Sequence, residues 1–413
     1  MQIKFIMTLL NNSSIKFLTI LFVVFVSAAE IDICVPSFPQ IQYEFVISPF
    51  QTECLLGANL LFHCIAALFA GNLGDKYGRK RVVNIGLGVF ILSSLLCYFS
   101  VGYYSLLIGR ILQGIGVAAS IVLAPVIILD FYEKEKQQKV MSLFNGFGTL
   151  AICLAPTMGS FATLFFNWRF NFLLLVLLGS LALAVFHAFI PSDKKNNPHI
   201  GFSIREYAII FKSKVTVLYI TSLSLCIGAY YTFVGMASII YVGSFGVSLK
   251  TFGIYQGLLT LAFGLTSIFS GSIMDRIGKK VSFLISIGLM ILFVVACLLF
   301  VIFNVQHPNW ITSVIILLSI GVVVPLNMMY VLALDSIAGA SGKVSGLITT
   351  GKWLFSIFGI QTASYFYSHD FRSTGLLMLV MELGALVIIF VLLKKDDKYR
   401  ENVYHTVACK EFI

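Results

Sequence analysis

The sequence predicts an all-α polytopic membrane protein of twelve transmembrane helices in two six-helix halves. Composition, the spacing of apolar runs and the placement of basic residues each point to it. Hydrophobic residues make up 59% of the chain and charged residues 11%, with a mean hydropathy of +0.96. Soluble domains are about 45–50% apolar and about 25% charged, so no aqueous fold hides this much apolar surface. Apolar runs fall near 16–36, 53–72, 82–101, 104–129, 140–163, 170–191, 214–241, 251–271, 281–304, 311–333, 344–366 and 373–393. Each approaches the ~20 residues that a spanning helix needs. Only helices and closed barrels satisfy the backbone in lipid, and continuous rather than alternating runs exclude a barrel.

Basic residues then set the orientation, because Lys and Arg collect in cytoplasmic loops. With the N-terminus inside, all but five of the 28 lie on the inner side. The exceptions are Arg169, Lys250 and Arg372 outside, and Arg110 and Lys352 within apolar runs. Both termini are therefore expected in the cytoplasm. The net charge of +10 follows from this bias and gives no evidence for a nucleic-acid partner. Val26-Ser27-Ala28 resembles a signal-peptide cleavage site, but cleavage would remove one helix and upset the charge pattern. The eight cysteines are scattered, without a C-x-x-C pair, and read as small buried hydrophobes rather than a metal site or disulfide framework.

Along the chain, the most polar internal stretch begins at Pro191 and runs to Lys214, dividing the runs six and six. The expected organisation is an N-terminal half over 1–191, a cytoplasmic linker over 192–213, a C-terminal half over 214–393 and a cytoplasmic tail over 394–413. Between the second and third runs stands Gly71-Asn72-Leu73-Gly74-Asp75-Lys76-Tyr77-Gly78-Arg79-Lys80-Arg81. Gly74 and Gly78 permit a tight turn, residues 79–81 anchor the cytoplasmic side, and Asp75 suits a helix N-terminus or a pair with Arg79 or Arg81. Asp130, at the inner end of the fourth run, is the expected partner of Arg79. A weaker copy, Gly271-Ser272-Ile273-Met274-Asp275-Arg276-Ile277-Gly278-Lys279-Lys280, follows two hundred residues later.

This repeated loop resembles the signature of the major facilitator superfamily. The resemblance implies two similar halves with a site between them, and a loop cluster that locks to the inner end of the eleventh helix in the outward-open state. Three stretches narrow it. The first run ends Glu30-Ile31-Asp32-Ile33-Cys34-Val35-Pro36-Ser37-Phe38-Pro39, and the fourth contains Arg110-Ile111-Leu112-Gln113-Gly114. Both are similar to the Bcr/CflA drug-resistance subfamily of drug:proton antiporters. The fifth contains Ala155-Pro156-Thr157-Met158-Gly159-Ser160, a version of the antiporter Gly-Pro-x-x-Gly-Gly motif in which Ala155 and Ser160 replace glycines.

A charge inside the bilayer costs at least about 2.5–3.5 kcal/mol on insertion scales and points to function. Asp32 and Arg110 are each expected about 7–9 Å below the outer ends of their helices, within reach of one cavity. Burial disfavours a charged carboxylate and a nearby arginine favours it, so a proton and a cationic substrate can compete for one site. Asp32 is the expected proton or cation site and Arg110 its modulator; the bland alternative is a static pair holding two helices. Glu30, about 200° around the helix from Asp32, is the second candidate. Lys352 and Glu382 fall at similar depth near the midplane, either as a structural ion pair or with Lys352 facing a substrate carboxylate or phosphate. His63 is a candidate proton relay or a packed neutral side chain, and His187 is interfacial. Tyr230, Tyr231, Phe233, Tyr330 and Trp353 are candidates for an aromatic cavity. Pro125, Pro156 and Pro325 mark possible kinks.

The expected function is proton-coupled secondary transport, exporting small amphipathic drugs or toxic compounds from the cytoplasmic (inner) membrane of a bacterium. No phosphate-binding G-x-x-x-x-G-K-S/T loop appears, so the energy source is the proton gradient and no cofactor is expected. The implied partners are a small-molecule substrate, protons and the bilayer, with the chain as a monomer. A dedicated transporter of one anionic or zwitterionic metabolite is the rival reading. A membrane-embedded enzyme finds no H-E-x-x-H or paired-aspartate motif, and a non-transporting sensor is the last alternative.

Overall fold

A computed structural model describes residues 12–132, 144, 154–191, 210–337 and 341–395, and every described element is helical. Most of the expected linker, the tail beyond Lys395 and the Asp75 side chain lie outside the described residues. The helices are α1 (Ile15–Phe45), α2 (Pro49–Tyr77), α3 (Arg79–Tyr98), α4 (Tyr103–Asp130), α5 (Leu154–Phe165) and α6 (Trp168–Phe189). They continue with α7 (Lys214–Ser244), α8 (Leu249–Ile277), α9 (Lys279–Phe303), α10 (Pro308–Leu334), α11 (Ser341–Tyr365) and α12 (Arg372–Lys395). Ten of these are long and apolar enough to cross a membrane; the described part of α5 is shorter, and α11 is more polar.

The first span differs from the expected 16–36. Its prolines do not end it: Pro36 sits in a 3-10 turn over Val35–Ser37, and Pro39 in the first turn of the helical piece Phe38–Phe45. A first-turn residue has no intrahelical partner for its N–H, so proline costs little there. In α10 the outcome is the opposite. The regular helix is interrupted at Val322, which keeps right-handed helical angles, three residues before Pro325, whose ring crowds the carbonyl four residues back. Pro125 is carried within a continuous α4.

Chain contacts divide the protein into two compact units, Met1–Phe202 with Leu249–Ile254, and Ser203–Ser248 with Tyr255–Ile413. In the first, α4 is the central element, pressed by α2 and α3. In the second, α7 holds that place against α11 and α12. Residues such as Leu92, Leu177, Leu299 and Val387 remain exposed along the outer faces of both units. Exposed apolar faces on spans of this length suit contact with lipid tails rather than water.

Candidate functional site

The site begins with a glycine. A Cβ on Gly114 of α4 would strike the backbone carbonyl of Asn59 on α2, so only glycine allows this approach. The approach brings the Asn59 amide beside α4, where Nδ2 donates to the Arg110 carbonyl at 2.9 Å and to Glu30 Oε1 at 3.1 Å. Arg110 donates from Nη1 to that same Glu30 oxygen, forming an ion pair, and to Gln113 Oε1 at 2.9 Å. Gln113 passes the chain on from Nε2 to Ser94 Oγ on α3 at 2.8 Å. Glu30, Asn59 and Gln113 are fully buried and Arg110 is 1% exposed, so four helices meet in a dry polar network. The network is incomplete: Glu30 Oε2 and Arg110 Nε and Nη2 have no hydrogen-bond partner among the described residues.

This corrects the expected pairing. Arg110 engages Glu30, and Asp32 is not its ion-pair partner. The 200° between the two carboxylates explains the exchange: with Glu30 turned toward α2 and α4, Asp32 projects from another side of α1. Asp32 is nevertheless buried, at 3% exposed. Its expected depth is also corrected. Because α1 runs on to Phe45, Asp32 stands about 20 Å from that end at 1.5 Å per residue.

Of the two readings left open for Lys352 and Glu382 in the second unit, the structural ion pair is not formed. Lys352 is half-buried, with Nζ 4.9 Å from the centre of the Trp353 ring, and Trp353 meets Tyr231 edge-on at 5.0 Å. Glu382 is fully buried, with no hydrogen-bond partner for either oxygen among the described residues. Equal depth along two helices does not fix their rotations, and rotation decides which side chains meet. Of the other aromatic candidates, Tyr230 stacks on Phe263, Phe233 packs among Tyr241 and Phe371, and Tyr330 is 38% exposed.

The two loops are built alike. Gly78, at φ 93°, closes α2 and opens α3; Gly278, at φ 86°, does the same between α8 and α9. These angles are costly for any side chain. Arg79 pairs with Asp130. Gly74 serves packing as well as the turn, since a Cβ there would come within 2.7 Å of Leu123. A Cβ on Gly71 would meet nothing within 4 Å, so no steric need fixes that glycine. Arg81, Asp275 and Arg276 are all exposed. In α5, Gly159 lies against the Ile33 carbonyl of α1, a contact that a side chain would break; Ala155 and Ser160 are buried and Pro156 stands beside them in the same helix.

Sequence reasoning missed several buried polar residues, Asn59 and Glu53 among them. Asn59 sits at the centre of the network, and Glu53 is fully buried near the start of α2. The signal was there: a carboxylate and an amide inside one apolar run, on helical faces that sequence alone could not aim. His63 is buried in α2, while His187 Nδ1 lies 3.1 Å from Asn84 Nδ2. No cluster suited to a metal ion occurs among the described residues.

Comparison with known proteins agrees with this architecture. The family model of the Major Facilitator Superfamily matches residues 20–360. A bicyclomycin resistance protein homolog of Haemophilus influenzae is 29% identical over 270 residues, covering 63% of this chain and 67% of the relative. Multidrug resistance protein MdtL of Salmonella paratyphi A is 27% identical over 349 residues, covering 81% and 86%. Among solved structures, the peptide transporter POT in complex with sulfate superposes with a TM-score of 0.75 at 15% identity, covering 93% of this chain and 94% of that one. That likeness is one of fold. The chain belongs to the Major Facilitator Superfamily, a family of transporters rather than enzymes, and it resembles the drug-resistance branch indicated by its first-span and fourth-span motifs.

Proposed function

We propose that this protein is a proton-coupled exporter of small amphipathic compounds, working by alternating access in the cytoplasmic (inner) membrane of a bacterium. The observation that carries the reading is the dry Glu30–Arg110–Asn59–Gln113 network with Asp32 two residues along the same helix. Two relatives named for drug resistance support the choice of substrate class. A proton arriving on Glu30 removes the charge that holds Arg110 and releases a guanidinium whose Nε and Nη2 are already uncommitted. Asp32 remains the site where a proton and a cationic compound exchange. The proposal includes twelve spans, six within 1–191 and six within 214–393, with both termini in the cytoplasm. The protein acts as a monomer with the proton gradient as its only energy source, and the Gly78 and Gly278 loops gate the inner side.

The test uses the full chain in liposomes that hold an internal pH dye. A lipophilic cation and a carboxylated metabolite are added separately to wild type, Glu30→Gln and Asp32→Asn. Proton movement triggered by the cation and abolished in both variants supports the reading. Unchanged coupling in both variants overturns it. One observation favours a second reading: Lys352 lies on an aromatic cluster formed with Trp353 and Tyr231, a setting suited to a substrate carboxylate or phosphate. Proton movement triggered only by the carboxylate favours a dedicated anion transporter, and Lys352→Met should then abolish it.

A further inference from the structure

We infer that Glu382 is a second proton-binding site, contained within the C-terminal unit and independent of the Glu30–Arg110 network. Met378, Glu382, Ala385, Ile389 and Leu392 recur at helical spacing and form the buried stripe of α12. The stripe seats on α7, where Ser222 Oγ donates to the Ala385 carbonyl at 3.5 Å and Thr232 Oγ1 lies 3.9 Å from the Met381 sulfur. Between those contacts Glu382 is fully buried, and neither oxygen has a hydrogen-bond partner among the described residues.

Each neighbouring helix offers little to balance a charge there. From α7 the Cys226 thiol, also fully buried, is close enough to Glu382 to interact with it electrostatically. From α9 it is Cys297, whose Sγ donates to the Gly375 carbonyl at 3.4 Å, two turns away along α12. Among the described side chains of α11 the charged residue is Lys352, and it makes no ion pair with Glu382. A carboxylate stripped of water and left without a cation is strongly disfavoured. Binding one proton forms an O–H bond and removes the charge, so the neutral acid is the form that fits this pocket.

The site is more than an inert buried acid. A neutral carboxyl group still has one donor and spare acceptor capacity, and here both oxygens stay unsatisfied. Exchange of a proton between this buried group and solvent requires the α7–α12 seam to move. The six residues Ile239–Ser244 at the end of α7 form a π-helix, a form that gathers at functional sites and lets a helix shift register. A cation larger than a proton is disfavoured, because no second carboxylate or cluster of metal-binding groups stands beside Glu382 among the described residues.

The inference does not depend on the drug-export reading, so its test uses no substrate. Full-length wild type in lipid nanodiscs is treated with an apolar carbodiimide, which adds to protonated carboxyls, at a series of pH values, and the adduct is mapped by mass spectrometry. Labelling at Glu382 that is strong in acid and falls to background as pH rises is the expected result. No labelling at any pH, or labelling that does not change with pH while the protein stays folded, overturns the proposal. Infrared difference spectra over the same pH step should contain a carboxylic-acid C=O band that Glu382→Gln removes and Glu30→Gln leaves in place. Because the labelling arm uses wild type, a misfolded variant cannot decide the question. Loss of drug export with intact titration at Glu382 would defeat the export reading and leave this one standing.

Discussion

Glu30 and Glu382 are both fully buried carboxylates on apolar helices, yet their surroundings differ at every contact. Around Glu30, the glycine at 114 lets α2 press against α4, and the approach delivers a guanidinium and an amide to one oxygen. Around Glu382, α7 presents the Cys226 thiol, Ser222 donates to the Ala385 carbonyl, and Thr232 spends its hydroxyl on a carbonyl of its own helix. Burial alone therefore says little about a charged residue's role. What matters is whether backbone packing brings donors within reach. One carboxylate stands in a prepared ion pair; the other stands where only a proton neutralises it.

The largest effect that would test this contrast comes from Arg110→Met. Removing one partner of a buried ion pair strands the other charge, and the expected loss of stability is about 3–5 kcal/mol, read from thermal unfolding in detergent. The double variant Glu30→Gln/Arg110→Met should recover most of that loss while proton movement stays absent. Recovery of both would make the pair merely structural. Next in size is Gly114→Ala. Its Cβ meets backbone rather than a flexible side chain, so α2 must shift, at an expected cost of about 1–3 kcal/mol together with a loss of coupling. Normal stability and transport in that variant would show that the approach of Asn59 is not required.

Glu382→Gln sharpens the comparison from the other side. No ion pair is broken, so unfolding should shift by less than about 1.5 kcal/mol, the scale of a single neutral hydrogen bond. A cost as large as that of Glu30→Gln would mean that a hidden cation holds Glu382, and the contrast would fail. Asp130→Asn should change least. Its carboxylate is 55% exposed in the pair with Arg79, and such surface pairs contribute about 0–1 kcal/mol, diminished by salt. If the loop gates transport, the same variant should lower the transport rate well beyond that small change in stability.

How legible the molecule was depended on the type of information each feature required. The turn glycines at 78 and 278 were readable because a tight turn between two apolar runs demands positive φ locally. The Arg79–Asp130 pair was readable because both residues end helices on the same side of the chain's charge pattern. The apolar run ending at residue 36 stopped short of the helix, because a 3-10 turn carries the chain past Pro36 into a further helical piece. The pairing of Arg110 with Glu30 in place of Asp32, and the absence of a Lys352–Glu382 bridge, were not readable. Asn59 and Glu53 went unnoticed because one polar residue in a long apolar run barely alters its hydropathy.

By itself the sequence determined that this chain is an apolar helical membrane protein, where most of its helices lie, and which motifs tie it to its superfamily. Those properties follow from local composition and short-range backbone geometry, which each segment carries within itself. Only the tertiary structure decided which buried charges are paired. That outcome depends on the rotation of each helix about its axis and on how closely glycines such as Gly114 and Gly159 let backbones meet. A rotation of 200° exchanges Asp32 for Glu30 without altering a single residue of the pattern that predicted the helix.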